Sequence, residues 1–198
     1  WPRARRIPIS PDRWITDIQI YYKKNHDVVR SDPIKRYDNS GELRSRGFEV
    51  FLRRLRSDRA FGWFSYTYSQ TDERRTTKDP WLASQYDQTH NLNIAGNYKF
   101  TGKWSLGSRF NYHTGDRYTP ISTAVYNVNY AKYQPRYNDN DRYGAKLPAY
   151  YQIDIYNVYD FLFNRWKLKL RTGIEYFAFE RPAFGVMYNY DYSKKSSW

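Results

Sequence analysis

Residues 87–120, DQTHNLNIAGNYKFTGKWSLGSRFNYHTGDRYTP, alternate apolar and polar side chains on both sides of a tight turn at residues 100–103. Before the turn, Leu92, Ile94, Tyr98 and Phe100 share one face, and Asn91, Asn93, Asn97 and Lys99 the other. After it, Trp104, Leu106, Phe110 and Tyr112 oppose Lys103, Ser105, Gly107, Arg109, Asn111 and His113. Successive side chains of a strand point to opposite faces, so this period of two predicts a hairpin with one apolar and one polar face. The apolar face has two possible destinations. It packs on a second sheet in a soluble protein, or it meets lipid around a membrane barrel whose polar face lines the interior.

The same pattern recurs along the chain. Residues 14–24 set Ile18, Ile20 and Tyr22 against Asp17, Gln19 and Tyr21; residues 42–56 set Phe48, Val50 and Leu52 against Gly47, Glu49 and Phe51. Residues 60–70 set Phe64, Tyr66 and Tyr68 against Ser65, Thr67 and Ser69. Residues 149–163 and 166–178 follow suit, the latter with Leu168, Leu170 and Ile174 opposite Lys167, Lys169, Arg171 and Glu175. Together with the hairpin these make seven strands. Residues 184–192 offer an eighth, with Phe184, Val186, Tyr188, Tyr190 and Tyr192 on one side. Residues 1–13 carry Pro2, Pro8 and Pro11, which suits a lead-in or an edge and bars the middle of a sheet.

The connections decide between the two destinations. Polar loops are expected at 25–41, 71–86 and 115–147, and short turns at 57–59, 100–103 and 164–165. Outer-membrane barrels show this asymmetry, with short periplasmic turns and longer extracellular loops, whereas a soluble meander has no reason to keep every second turn minimal. Phe61, Trp63, Phe100, Trp104, Phe163 and Trp166 stand beside the short turns, where a periplasmic aromatic girdle is expected. The mean hydropathy of −0.97 argues against a helical membrane protein, not against a barrel, which hides its apolar residues in alternate positions. Aromatics form 20% of the chain, with 22 Tyr and 7 Trp, enough to supply interfacial belts. The expected fold is therefore all-β: an antiparallel up-and-down transmembrane β-barrel of about eight strands, or the C-terminal segment of a larger barrel. Residues 1–198 form one domain in this reading, with 115–147 as its long extracellular loop.

The formal net charge of +13 fits solvated loops and contact with the anionic head groups of outer-membrane lipid. The alternative is a soluble, basic β-rich protein that binds nucleic acid or other polyanions. Single-strand binding surfaces interleave cations with aromatics on one face. Here the two residue types mostly segregate, so no nucleic acid is expected. His26, His90 and His113 lie far apart without zinc spacing, and Tyr143 occupies the position after Asp139 and Asp141 where calcium would want an oxygen. No nucleophile elbow surrounds a serine. No metal, cofactor or catalysis is expected. On the polar face, Glu49, Arg109, Asp154, Asp160, Lys167, Lys169, Arg171 and Glu175 should form a lumen-facing network, since buried opposite charges tend to pair. In the long loop, Tyr118, Tyr126, Tyr130, Tyr133, Tyr137 and Tyr143 are the expected extracellular contacts, because tyrosine recognises ligands at low entropic cost.

Several stretches resemble the C-terminal part of the barrel of TonB-dependent outer-membrane receptors. They are YDNSG (37–41) leading to GFEV (47–50), SYTYS (65–69), DQTHNLNI (87–94), TGDRYTP (114–120) and LPAYYQID (147–154). YNYDY (188–192) resembles the last surface loop of that family, which competes with its reading as an eighth strand. The resemblance covers about residues 14–192. It implies a bacterial outer-membrane receptor or transport barrel whose ligand is set by its loops. The family's N-terminal plug, its TonB-contacting segment and a closing strand after Tyr192 are not identified in the sequence. The expectation is either a piece of a larger receptor, with a plug or another barrel chain as partner, or a small barrel that keeps only the last strands.

Overall fold

The alternating segments form seven long strands in the computed structural model, which describes residues 5–6, 14–32, 36–55, 57, 59–177, 183 and 185–197. They are β1 (Trp14–Asp32), β2 (Arg36–Arg54), β3 (Ala60–Arg74), β4 (His90–Lys99), β5 (Trp104–His113), β6 (Tyr150–Leu162) and β7 (Lys167–Phe177). Their order in the sheet is their order in the chain, and every neighbouring pair is antiparallel. This is an up-and-down meander, as the hairpin pattern requires.

Register carries the two faces across the whole sheet. Ile18, Val50, Tyr66, Leu92, Tyr112 and Tyr151 stand in one cross-strand row, and Asp17, Phe51, Ser65, Asn93, Asn111 and Gln152 in the next. A slip of one residue would exchange the faces. The apolar face is left uncovered: Ile20, Ile94, Leu168, Leu170 and Ile174 are all exposed. Leu147 is the one buried hydrophobic residue among those described, whereas Glu73, Asp87, Asp154 and Ser84 are almost fully enclosed. A soluble sandwich of this size would bury its apolar rows instead.

Several segments differ from expectation. β1 and β2 have 19 residues each, so they extend through most of the expected 25–41 loop. At about 3.3 Å per residue they reach roughly 60 Å, whereas a membrane strand needs only about 9–11 residues. Their outer halves are mostly polar, and two register shifts, between Asn25 and Val28 and between Val28 and Arg30, with Asp27 at φ 55°, break the alternation there while the pairing of β1 with β2 resumes beyond them. Similarly, residues 71–74 continue β3, and the short strand Leu82–Ala83 folds back on Asp72 and Glu73. The 115–147 connection contains a hairpin, Ile121–Asn127 with Lys132–Tyr137, above the two-residue pair of Arg117–Tyr118 with Ala145–Lys146.

The eighth strand does not join the sheet. Phe184 lies outside the described residues; Val186–Tyr188 pairs instead with Lys195–Ser197 as a separate small hairpin. Tyr192, with φ 60°, takes a left-handed backbone in the turn between them, which ends the alternation. Among the described residues β7 has no ladder on its outer edge, and β1 carries only the short strand Arg5–Arg6. Those two residues are the described part of the 1–13 lead-in. Among the described residues the sheet is thus open rather than a closed ring. β7 also holds a β-bulge: Ile155 opposes Ile174 but Ile153 opposes Phe177, and Tyr176 within it has φ 61°.

Candidate functional site on the polar face and at the long-loop end

Seven of the eight candidate lumen residues are placed on one face by the register of β2, β5, β6 and β7, while Glu175, within the β7 bulge and without a register partner, reaches Arg171 of that face. Asp154 on β6 is the best-satisfied of them. Its Oδ2 accepts from Arg109 Nε at 2.7 Å and lies 2.5 Å from Arg109 Nη2. Its Oδ1 accepts from Gln152 Nε2 at 2.8 Å and from the Tyr176 backbone N–H at 3.0 Å, so it also pins the bulge. Lower on the face, Lys167 Nζ lies 2.6 Å from Asp160, with Lys169 directly opposite that carboxylate. Arg171 lies 3.8 Å from Glu175 and covers the Tyr156 ring at 4.5 Å. Tyr156 stands between Gly107 and Gly173 on the neighbouring strands. A Cβ on Gly107 would strike its ring, so glycine there gives the aromatic side chain its room. Glu49, opposite Gln19 and Thr67, has no ion pair among the described residues.

The six aromatic residues beside the short turns divide. Phe100 and Trp104 stack at 4.3 Å, and Phe163 and Trp166 at 3.7 Å. Phe61 and Trp63, however, share the face of Ser65, Asn93 and Glu49, which is the polar one. Trp63 stacks there on Phe51 at 6.4 Å.

At the other end of the sheet, the family-like stretches meet. Asp87 accepts from the Thr71 N–H at 3.1 Å, from Arg117 Nε at 2.6 Å and from the Thr89 hydroxyl at 3.2 Å. Lys146 Nζ lies 3.8 Å from it; burial first, and the Arg117 charge second, hold that amine below its ordinary value against the pull of Asp87. Thr114 Oγ1 accepts from the His90 N–H, and Gly115 is so close to the Leu147 carbonyl that a side chain would collide. Glu73 is tied to Arg142 at 3.0 Å and to the Ser84 hydroxyl at 2.9 Å. None of these partners shares a periodic spacing, so sequence reasoning missed Glu73 and Asp87 as anchors.

Above this knot lies a groove of about 640 Å³ between the 121–137 hairpin and the 186–197 hairpin. Tyr118, Tyr133 and Tyr137, three of the expected contacts, line it together with Tyr188, Tyr190 and Tyr192. The Tyr190 hydroxyl donates to the Ala131 carbonyl at 2.9 Å, and its ring meets Tyr133 edge-on at 5.6 Å. The Ile121 N–H reaches the Tyr188 hydroxyl at 3.4 Å, and Lys195 Nζ donates to the Tyr118 hydroxyl at 3.3 Å. Lys132 is the charged residue of the lining, which contains no carboxylate. Tyr126 packs behind Tyr133, while Tyr130 and Tyr143 lie outside the lining and face Lys132 and Arg142 respectively.

Among the described residues no three His, Asp or Glu side chains converge to hold a metal ion. His26 bonds Glu42, His90 bonds the Tyr66 hydroxyl, and His113 contacts the Thr114 carbonyl. Comparison with curated proteins and with solved structures gave no match. A family model, described as TonB dependent receptor-like, beta-barrel, matches residues 6–194. With that match over nearly its whole length, and with the antiparallel meander the family requires, the chain belongs to the TonB dependent receptor-like β-barrel family.

Proposed function

We propose that the chain forms part of the wall of a receptor or transport barrel in a bacterial outer membrane, acts without catalysis, and captures ligand at its long-loop end. The observation that carries this is the tyrosine groove. Six phenol rings and Lys132 line it without an opposing carboxylate, which suits a hydroxylated or anionic ligand presented from outside. The uncovered apolar rows support lipid contact, and the polar face supports a lumen that holds a plug or another chain. The edge of β1, covered among the described residues only by Arg5–Arg6, and that of β7, without a ladder among them, support a wall completed by further strand pairing, since lipid does not hydrate bare backbone groups.

Protease added to intact cells that express the chain tests the orientation. Cleavage is expected within 115–147, with residues 57–59 spared. Cleavage at 57–59 alone would invert the topology, and a chain that stays monodisperse in plain buffer would overturn the membrane reading.

A further inference from the structure

On the outward face the apolar rows end in a cluster of cations. From the membrane side outward, the rows across β1, β2 and β3 read Ile20–Phe48–Tyr68, then Tyr22–Arg46–Gln70, then Lys24–Arg44–Asp72, and then Glu42–Arg74. Within one face, hydrophobes therefore give way to charge within two residues on β2 and within four on β1 and β3.

The two carboxylates of this cluster are buried and committed. Asp72 accepts from Arg44 Nε at 2.9 Å, and Glu42 accepts from Arg74 Nε at 2.6 Å and contacts His26 at 2.9 Å. Arg44 and Arg74 are also held from the loop side, since both guanidinium groups lie over the Trp81 ring, at 4.4 and 4.7 Å. Lys24 and Arg46 are left with weaker partners. Lys24 Nζ lies 3.7 Å from Glu42, and Arg46 lies 3.9 Å from Asp72 while donating to the neutral amide of Gln70. They are also more exposed than Arg44 and Arg74, at 35% and 49% of the side chain. Four permanent cations face two carboxylates, an excess of two positive charges.

We infer that Lys24 and Arg46 form a binding site for the phosphate of an anionic lipid in the leaflet on the long-loop side, with its acyl chains along Ile18, Ile20 and Phe48. Charge complementarity selects the anion, and Arg supplies a planar fork that suits phosphate. The exposed Ile20 and Tyr22 in the adjoining rows select a lipid over a free phosphate, because only a lipid satisfies both rows at once. The inference rests on the membrane reading of the sheet, and it adds a site on the opposite face from the lumen network.

The test is native mass spectrometry of the full chain folded in detergent micelles, titrated with bisphosphorylated lipid A, monophosphorylated lipid A and phosphatidylcholine. The wild type is expected to prefer the bisphosphorylated lipid. The Lys24→Gln/Arg46→Gln double variant is expected to lose at least about tenfold in affinity for it. Lys169→Gln on the polar face is expected to change nothing, and unchanged far-UV circular dichroism shows that each variant is folded. Excess inorganic phosphate should not displace the lipid; displacement would make this a solute-phosphate site. Wild-type affinity in the double variant, or an equal loss in Lys169→Gln, would overturn the inference. A wild type that binds all three lipids equally removes the phosphate site alone, whereas one that takes up no lipid and needs no detergent removes the membrane reading beneath it.

Discussion

The charges of β7 and the charges at the long-loop end of β3 use the same residue types to opposite ends. Lys167, Lys169, Arg171 and Glu175 line an exposed strand, and the Arg171–Glu175 contact has about 60% of each side chain in solvent. Glu73 and Asp87 are 1% exposed, and basic side chains, a hydroxyl or a backbone N–H enclose each of them. The first group furnishes a wet surface. The second replaces an apolar core, because Leu147 is the only hydrophobic residue buried among those described. At the long-loop end this protein is held by its ladder and by enclosed ion pairs, whereas along the rest of the sheet the apolar rows are left uncovered.

The sharpest way to break that contrast is Asp87→Ala. It leaves Arg117 unpaired beside Lys146 and strips the Thr71 N–H of its acceptor. A loss of about 3–5 kcal/mol is expected in denaturant titration of the folded chain in lipid vesicles. Next is Leu170→Arg on the apolar face, which should cost about 2–4 kcal/mol near the bilayer midplane. Lys169→Leu on the other face should be tolerated in the same assay; equal tolerance at both sites would refute the facing. A smaller effect is expected from acid at Glu42. Burial raises its pKa, but hydrogen bonds from Arg74 and His26 and the charges of Arg74 and Lys24 outweigh burial and leave it below the ordinary 4.5. Its stabilisation is therefore fully present above about that pH and lost as pH falls through the depressed value. Glu42→Gln should flatten that part of a stability–pH profile. The smallest effect is Arg171→Ala, expected below about 1 kcal/mol, since exposed pairs contribute little.

Seven strands were legible because a sheet with one apolar and one polar face imposes a period of two on each strand. That imposition ends where the residues are mostly polar and the register shifts, so the outer halves of β1 and β2 read as loop although their pairing resumes. Parity also specifies a face but not a partner. Tyr188, Tyr190 and Tyr192 alternate as a strand would, yet their segment pairs with Lys195–Ser197 and supplies half of the tyrosine groove. Phe61 and Trp63 share odd numbering with Ser65, so their place on the polar face followed from the same rule that the girdle reading set aside. Asp87 and Arg117 are joined by the fold alone, 30 positions apart.

The bulge at Tyr176 acts on the chain as an inserted letter acts on a reading frame. Up to Gly173, odd-numbered residues of β7 point to the polar face; past the bulge Phe177, also odd, stands opposite Ile153 on the apolar side. One extra residue thus re-phases everything that follows. The Tyr176 N–H that Asp154 accepts clamps the strand where the frame changes. A carboxylate on the polar face therefore holds the point at which the facing of the next strand changes, and the face of each residue past 175 needs to be counted from that clamp.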